Sequence, residues 1–490
     1  MFSASKTCLK AGHIVDLFSL SLHYRNCVLG MSVSRICPAY DAIVVGAGVA
    51  GLWTAAELAR RHPGWTIAVV EKYKTFGGRL MSYAPAPSRA KGLRAGCESI
   101  PCSSPVHWEA GAGRIHESHR RVHALLKEHG LHAVPIGSAL GYKASPESSV
   151  VENLFESVGV KIFLAPLARL GPSVLGRHTL QELLVKVYSK DKVDWLLNHY
   201  AYSSELRSMR ADVALNSFLG KGSMGTHEGY SVVAEGFSEL VQRMIAALPS
   251  DRVVVLGRHT LTDVRPAERG ATDCVFEYKD LKTIVLRARR ACVLALHSDA
   301  VKAVAPFQSW GPLRHLKTEP LLRIYMIFDV GQSGTPGKGG PWFKGLGRVV
   351  FSGGLHYMIP IDESKGIIMI SYTDGADTMH YRKLVEKYGD ESRELADAVM
   401  GDVRRWWPAL KVPAPTYTKA HLWTVGCTYW QPLGKKDGYV SADELMARTH
   451  RPYPRSLPGV YVAGESYSAG NQCWVEGALE TAEAVVKMIR

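Results

Sequence analysis

An α/β protein, in which a Rossmann-like domain is joined to a mixed α+β domain, is predicted by three observations. The apolar run Ala42 to Val45 leads directly into Gly46, Gly48 and Gly51 and then into a helical stretch ending near Arg61. A second apolar run, Thr66 to Val70, stops at Glu71, so strand, turn, helix and strand make one βαβ unit with an acid at the tip of its second strand. Composition is that of an ordinary globular chain: 490 residues, 46% hydrophobic and 21% charged. That length accommodates about two to three domains and excludes a disordered tail or a small disulfide scaffold.

Residues 1–39 hold four basic residues, one acidic residue and six serines, which suits either a transit peptide or a segment upstream of a start at Met31. Beyond Glu71, the Pro-, Ser- and Gly-rich stretch to Trp108 reads as an irregular insertion. Ser118 is placed to cap a helix with Val122, Leu125, Leu126 and His129 on one face and Gly130 as its stop. Residues 131–228 read as mostly helical. Val233 to Leu240 opens a helix ahead of a strand over 252–256, and β texture then runs to Thr373. Near the C-terminus, Val460-Tyr-Val-Ala-Gly464-Glu465 is a strand entering a turn, and Leu479, Ala482, Val486 and Ile489 line a last helix. The predicted division is an extension (1–39), a discontinuous dinucleotide-binding domain (40–115, 229–310, 450–490) and a substrate domain (116–228, 311–449).

Fifty-nine Lys and Arg against 45 Asp and Glu give a net charge of +14, a field that attracts anions. No Lys/Arg run focuses it, which argues against nucleic acid as a partner. The nine cysteines are scattered and contain no CxxC pair, so a reducing, intracellular setting fits best and zinc is not indicated. Ala42 to Ala56 is uncharged but shorter than the ~20 residues of a bilayer span, so no transmembrane segment is expected.

Gly46-x-Gly48-x-x-Gly51 has a physical job: the first glycine makes the tight turn, the second admits a pyrophosphate, and the third lets helix pack on strand. The helix N-terminus then faces the anion. Glu71, twenty residues past Gly51, is placed to hold ribose hydroxyls. What separates FAD from NAD is Gly77-Gly78-Arg79, a further backbone approach to phosphate with a guanidinium beside it.

With Ala463-Gly464-Glu465 and Trp474-Val475-Glu476-Gly477-Ala478 at the other end, the chain resembles the flavin-containing amine oxidase family over roughly residues 40 to 490. The resemblance implies an amine oxidase fold and FAD bound by Gly46, Gly48, Gly51, Glu71, Gly78, Arg79, Leu261, Gly464 and Glu465, with Leu261 using its backbone. It also implies that the lysine ending Leu296-His-Ser-Asp-Ala-Val-Lys302 holds a water near flavin N5, with Lys317 as the fallback and a surface loop as the plain reading. Cys427 lies close to where some members tether the flavin, a residue or two out of register.

Within the family, Arg114 followed by His119-Arg120 is similar to the L-amino-acid oxidase branch, where an arginine clamps the substrate carboxylate. A structural salt bridge or a contact to FAD phosphate is the other use of Arg114. Tyr357 is the candidate hydroxyl for that carboxylate, or else a core aromatic. Trp423, Tyr429, Trp430 and Trp474 are the candidates for aromatic walls around the substrate nitrogen. The implied function is oxidative deamination of an L-amino acid, with oxygen as acceptor and 2-oxo acid, ammonia and hydrogen peroxide as products. A polyamine or monoamine oxidase, and a non-oxidase flavoprotein, are the alternatives. The chain is compatible with a homodimer.

Overall fold

In β1 (Ala39–Val45) and β2 (Ile67–Val70), nearly every side chain is apolar because the strands run parallel and are covered on both faces. α1 (Val49–Arg61) joins them right after the glycine turn. The computed structural model describes residues 37–85, 107–153, 159–219, 228–278, 282–330 and 340–490. Most of the expected N-terminal extension and of the insertion before Trp108 lies outside them.

The first sheet runs Val253–Leu256, β2, β1, Lys282–Ala295, Thr272–Tyr278, His259–Pro266, and Val460–Ala463 pairs in parallel with the end of Lys282–Ala295. Helices α1, Phe237–Ala246 and Val475–Met488 cover one face, where Leu52, Ala55, Leu240, Met244, Leu479 and Ala482 pack on Ala42 and Val44. On the other face Leu261, Val264, Cys274 and Phe276 pack on Ile43, Val45 and Val70.

A second sheet has the order Tyr417–Trp430, Leu316–Ile327, Ile367–Asp374, Tyr357–Asp362, Arg348–Phe351, Leu140–Lys143, Val151–Glu152. Strand periodicity sorts its side chains. Leu322, Ile324, Met326, Met358, Ile368 and Ile370 pack against the helices Met379–Tyr388 and Arg393–Trp406. Tyr325, Tyr357, Met369 and Tyr372 join Trp108 in a different cluster, on the opposite face. Helices between Val160 and Leu219 form a third layer around Trp430 and Tyr429.

Two local expectations are corrected. The stretch after residue 131 is not helical at first: Ala133–Pro135 and Leu140–Lys143 are short strands stabilised by partners far away in sequence, and Val151–Glu152 pairs back on Leu140–Lys143. The helix Arg120–Glu128 is preceded by His119 at its N-cap, while Ser118 Oγ bonds His116 Nδ1. No helix among the described residues is long and apolar enough to cross a membrane.

Candidate functional site

The glycine turn is shaped for an anion. The Gly46 amide bonds the Val70 carbonyl at 2.7 Å, drawing the turn across the tip of β2. A Cβ on Gly51 would sit on top of the Gly46 carbonyl, so that position is closed by backbone. A Cβ on Gly48 would meet nothing nearer than Gly77 O at 3.8 Å, so open space lies beside the first turn of α1. That turn has no side-chain cap and no acidic residue, which leaves its amides for a pyrophosphate. Glu71 accepts from the Ala47 amide at 2.8 Å and the Tyr73 amide at 3.0 Å, fixing a carboxylate at the strand tip.

The distant motifs converge here. Gly77 bonds Ala47 O, which brings Gly78 against Gly48. Arg79 donates to Glu465 Oε1 at 2.6 Å and to Gly426 O at 3.0 Å. The second Glu465 oxygen accepts from the Cys473 amide at 2.9 Å, and the Gly464 amide bonds Thr481 Oγ1. These residues form one cradle whose shape and donors fit the diphosphate and ribose of FAD.

Beside the cradle, facing the second sheet, lies a ring of aromatics around Arg114. Its guanidinium stands 5.0 Å from the Tyr202 ring centre and 4.9 Å from that of Tyr230, and donates to the Tyr202 hydroxyl. Burial works against its charge, while the phenols of Tyr202, Tyr357, Tyr230 and Tyr372 around it favour the protonated form. Among the described residues no carboxylate lies within ion-pair distance of it. Trp474 stacks on Tyr230 at 6.0 Å and meets His119 edge-on at 4.9 Å. Burial holds His119 down to about 3, so this support is neutral.

Burial raises the carboxyls near this ring toward their protonated forms. Burial pushes Glu109 up to about 7, against the Phe237 amide, the Ser82 hydroxyl and Arg323. Its Oε2 is shielded from solvent and without a partner. Burial raises both Glu205 and Asp374, with the Asp374 charge adding to the first and the Asp377 charge to the second, and Asp374 accepts from the Ser204 amide.

Several expected site residues are placed elsewhere. Lys302 ends the helix Ser298–Lys302, which buries Ser298 and Val301 and turns Lys302 to solvent, so it does not supply a buried cation. Lys317 is also exposed and pairs with Glu319 at 2.6 Å. Trp430 is core: its indole donates to Ser468 O at 2.8 Å within the helical layer. Leu261 lies in the ladder opposite Phe276 with its side chain in the core, which leaves only its backbone for the role expected of it. Trp423 donates to Ala110 O at 2.7 Å, beside Glu109. Cys427 and Cys473 are free thiols.

The cation the sequence reading missed is Arg323. Nη1 donates to the carbonyls of Glu109 and Gly111, Nη2 reaches the Tyr372 hydroxyl at 3.4 Å, and the group lies 4.6 Å over the Tyr372 ring. Its signal was a lone charge in the apolar run Leu321-Leu-Arg-Ile-Tyr-Met-Ile327.

A glycine-turn cradle for FAD beside an aromatic pocket defines the class, an FAD-dependent oxidoreductase. A profile described as FAD dependent oxidoreductase matches residues 41–158, and one described as Flavin containing amine oxidoreductase matches residues 160–489. The chain belongs to the flavin-containing amine oxidoreductases. It is 23% identical to Aplysianin-A of Aplysia kurodai, over 91% of this chain and 89% of that protein. Its fold is similar to a wild-type putrescine oxidase bound to putrescine (TM-score 0.67, 14% identity, 92% of this chain and 98% of that one). It is also similar to a putative protoporphyrinogen oxidase from Exiguobacterium sp. (TM-score 0.61, 14% identity, 94% and 99%).

Proposed function

We propose that this FAD-dependent amine oxidoreductase oxidises an L-amino acid at the carbon bearing nitrogen and passes the electrons to oxygen, releasing imine and hydrogen peroxide. Hydrolysis of the imine gives the 2-oxo acid and ammonia. The observation that carries the reading is Arg114: a half-buried guanidinium between two tyrosine rings, facing further tyrosines, with no carboxylate partner among the described residues. Such a group is built to receive one.

FAD, when bound, supplies the hydride acceptor. The chain does the positioning. Arg114 takes the α-carboxylate with two charge-assisted bonds, and Tyr357 and Tyr372 stand near enough to add hydroxyl contacts. Trp474 and Tyr230 wall the pocket against water. Oxidation requires the neutral amine, and Oε2 of Glu109 is the shielded acceptor for the proton it sheds.

Replacing Arg114 with Met tests the assignment. KM for the amino acid should rise by a factor of roughly 30 to several thousand, the cost of truncating one partner of a charge-assisted pair, with flavin content unchanged. An unchanged KM removes the carboxylate from Arg114. A second reading, oxidation of a polyamine or monoamine, is favoured by the acids Glu109, Glu205 and Asp374 beside the pocket. It wins if wild type prefers spermine, spermidine or a monoamine to every amino acid.

A further inference from the structure

Two of the arginines held inside this fold are matched with carboxylates. Arg79 meets Glu465 at 2.6 Å and Arg210 meets Asp212 at 2.6 Å. Arg114 and Arg323 are different: among the described residues neither has a carboxylate within ion-pair distance, and both flank one pair of rings. Tyr202 and Tyr372 meet at 5.3 Å between centroids, with Arg114 over the first ring and Arg323 over the second.

The two guanidiniums are not used alike. Nη1 of Arg323 is taken by the carbonyls of Glu109 and Gly111, which fixes the plane of the group. Its other edge is left over. Nε is shielded from solvent and without a partner, and Nη2 has only the long contact to Tyr372. Nε and Nη2 form the edge on which a guanidinium grips a carboxylate with two parallel bonds. An unmet donor of this kind is costly to leave buried. The neighbouring acid, Glu109, does not fully neutralise it, since burial pushes that carboxyl up to about 7.

Resting on the amino-acid reading above, we infer that the free edge of Arg323 binds a second carboxylate, so that the substrate is an acidic L-amino acid with its α-carboxylate on Arg114 and its side-chain carboxylate on Arg323. L-Glutamate and L-aspartate are the probes, and L-glutamine and L-asparagine are controls of almost identical shape. Arg323 is then the residue that selects the side chain.

The experiment uses the flavin-loaded protein. Wild type should show kcat/KM for L-glutamate or L-aspartate above that of the matching amide by about 30-fold or more, and Arg323→Met should bring that ratio close to one. Arg323→Lys, which keeps the charge but not the fork, should fall between. Glutarate, which cannot be oxidised, should perturb the flavin absorbance of wild type at lower concentration than butyrate, and this gap should close in Arg323→Met. An amide used as well as its acid, or a ratio that Arg323→Met does not move, overturns the inference while leaving the amino-acid reading in place. Loss of flavin from both Arg323 variants also overturns it, because the guanidinium would then serve the cofactor. Bleaching by putrescine with no response to any amino acid fails the amino-acid reading itself, and this inference with it.

Discussion

At the scale of single residues, Glu109 links titration to both rate and stability. Burial raises its carboxyl from 4.5 to about 7. As a proton acceptor it must be ionised, so kcat/KM should climb as pH rises through about 7, and Glu109→Gln should lose that limb. Stability moves the other way. Between 4.5 and about 7 the folded protein keeps a proton that the unfolded chain has released, so this group's contribution declines as pH rises across that window. Thermal melts of wild type against Glu109→Gln from pH 4.5 to 7.5 check the sign: the gap should shift in the variant's favour with rising pH, and a constant gap would mean the carboxyl is not raised. Residue roles were read unevenly from sequence. Arg114 and Tyr357 were candidates from the family resemblance, and the structure brings the two side chains to one place. Lys302 was assigned by a loose match, and its helix turns it to solvent because Val301 is the side chain that packs. Arg323 was passed over because a charge inside an apolar strand has meaning only when the face it points to is known.

At the scale of elements, the glycine turn gives two substitutions opposite outcomes within one motif. Gly48→Leu places its side chain in open space, so the protein should fold and lose FAD, read as soluble protein without flavin absorbance. Gly51→Ala drives a methyl into the Gly46 carbonyl, so the strand–helix packing itself should fail and soluble yield should collapse. Flavin retained by Gly48→Leu would show that the pyrophosphate lies elsewhere. β1, α1, β2 and the last helix were legible because local pattern and tertiary role agree: continuous apolar strands for a sheet covered on both faces, and a 3.6-residue stripe for a helix on its surface. The strands after residue 131 were not. Leu140–Lys143 is four residues long and holds its shape through pairing with Arg348–Phe351, some two hundred residues away, which no local window contains.

At the scale of the whole molecule, the candidate FAD cradle joins motifs from both ends of the chain. Arg79 and Glu465 are 386 residues apart and meet at 2.6 Å, with Glu465 also holding the Cys473 amide. Glu465→Ala would strand the Arg79 charge and free that amide, so it should cost about 3–5 kcal/mol at this largely buried pair and lower flavin occupancy; a variant that melts with wild type and keeps its flavin would show that the two motifs do not depend on each other. The field of a +14 chain favours anionic ligands at long range, in keeping with a pocket that carries Arg114 and Arg323. The central claim, that this amine oxidoreductase selects its substrate through a carboxylate, is tested most directly by anaerobic mixing of the yellow protein with each L-amino acid and with the amine that lacks the carboxylate. Rapid loss of flavin absorbance with an L-amino acid, and little with its decarboxylated counterpart, is the expected result. Equal or faster bleaching by the decarboxylated amine would contradict it.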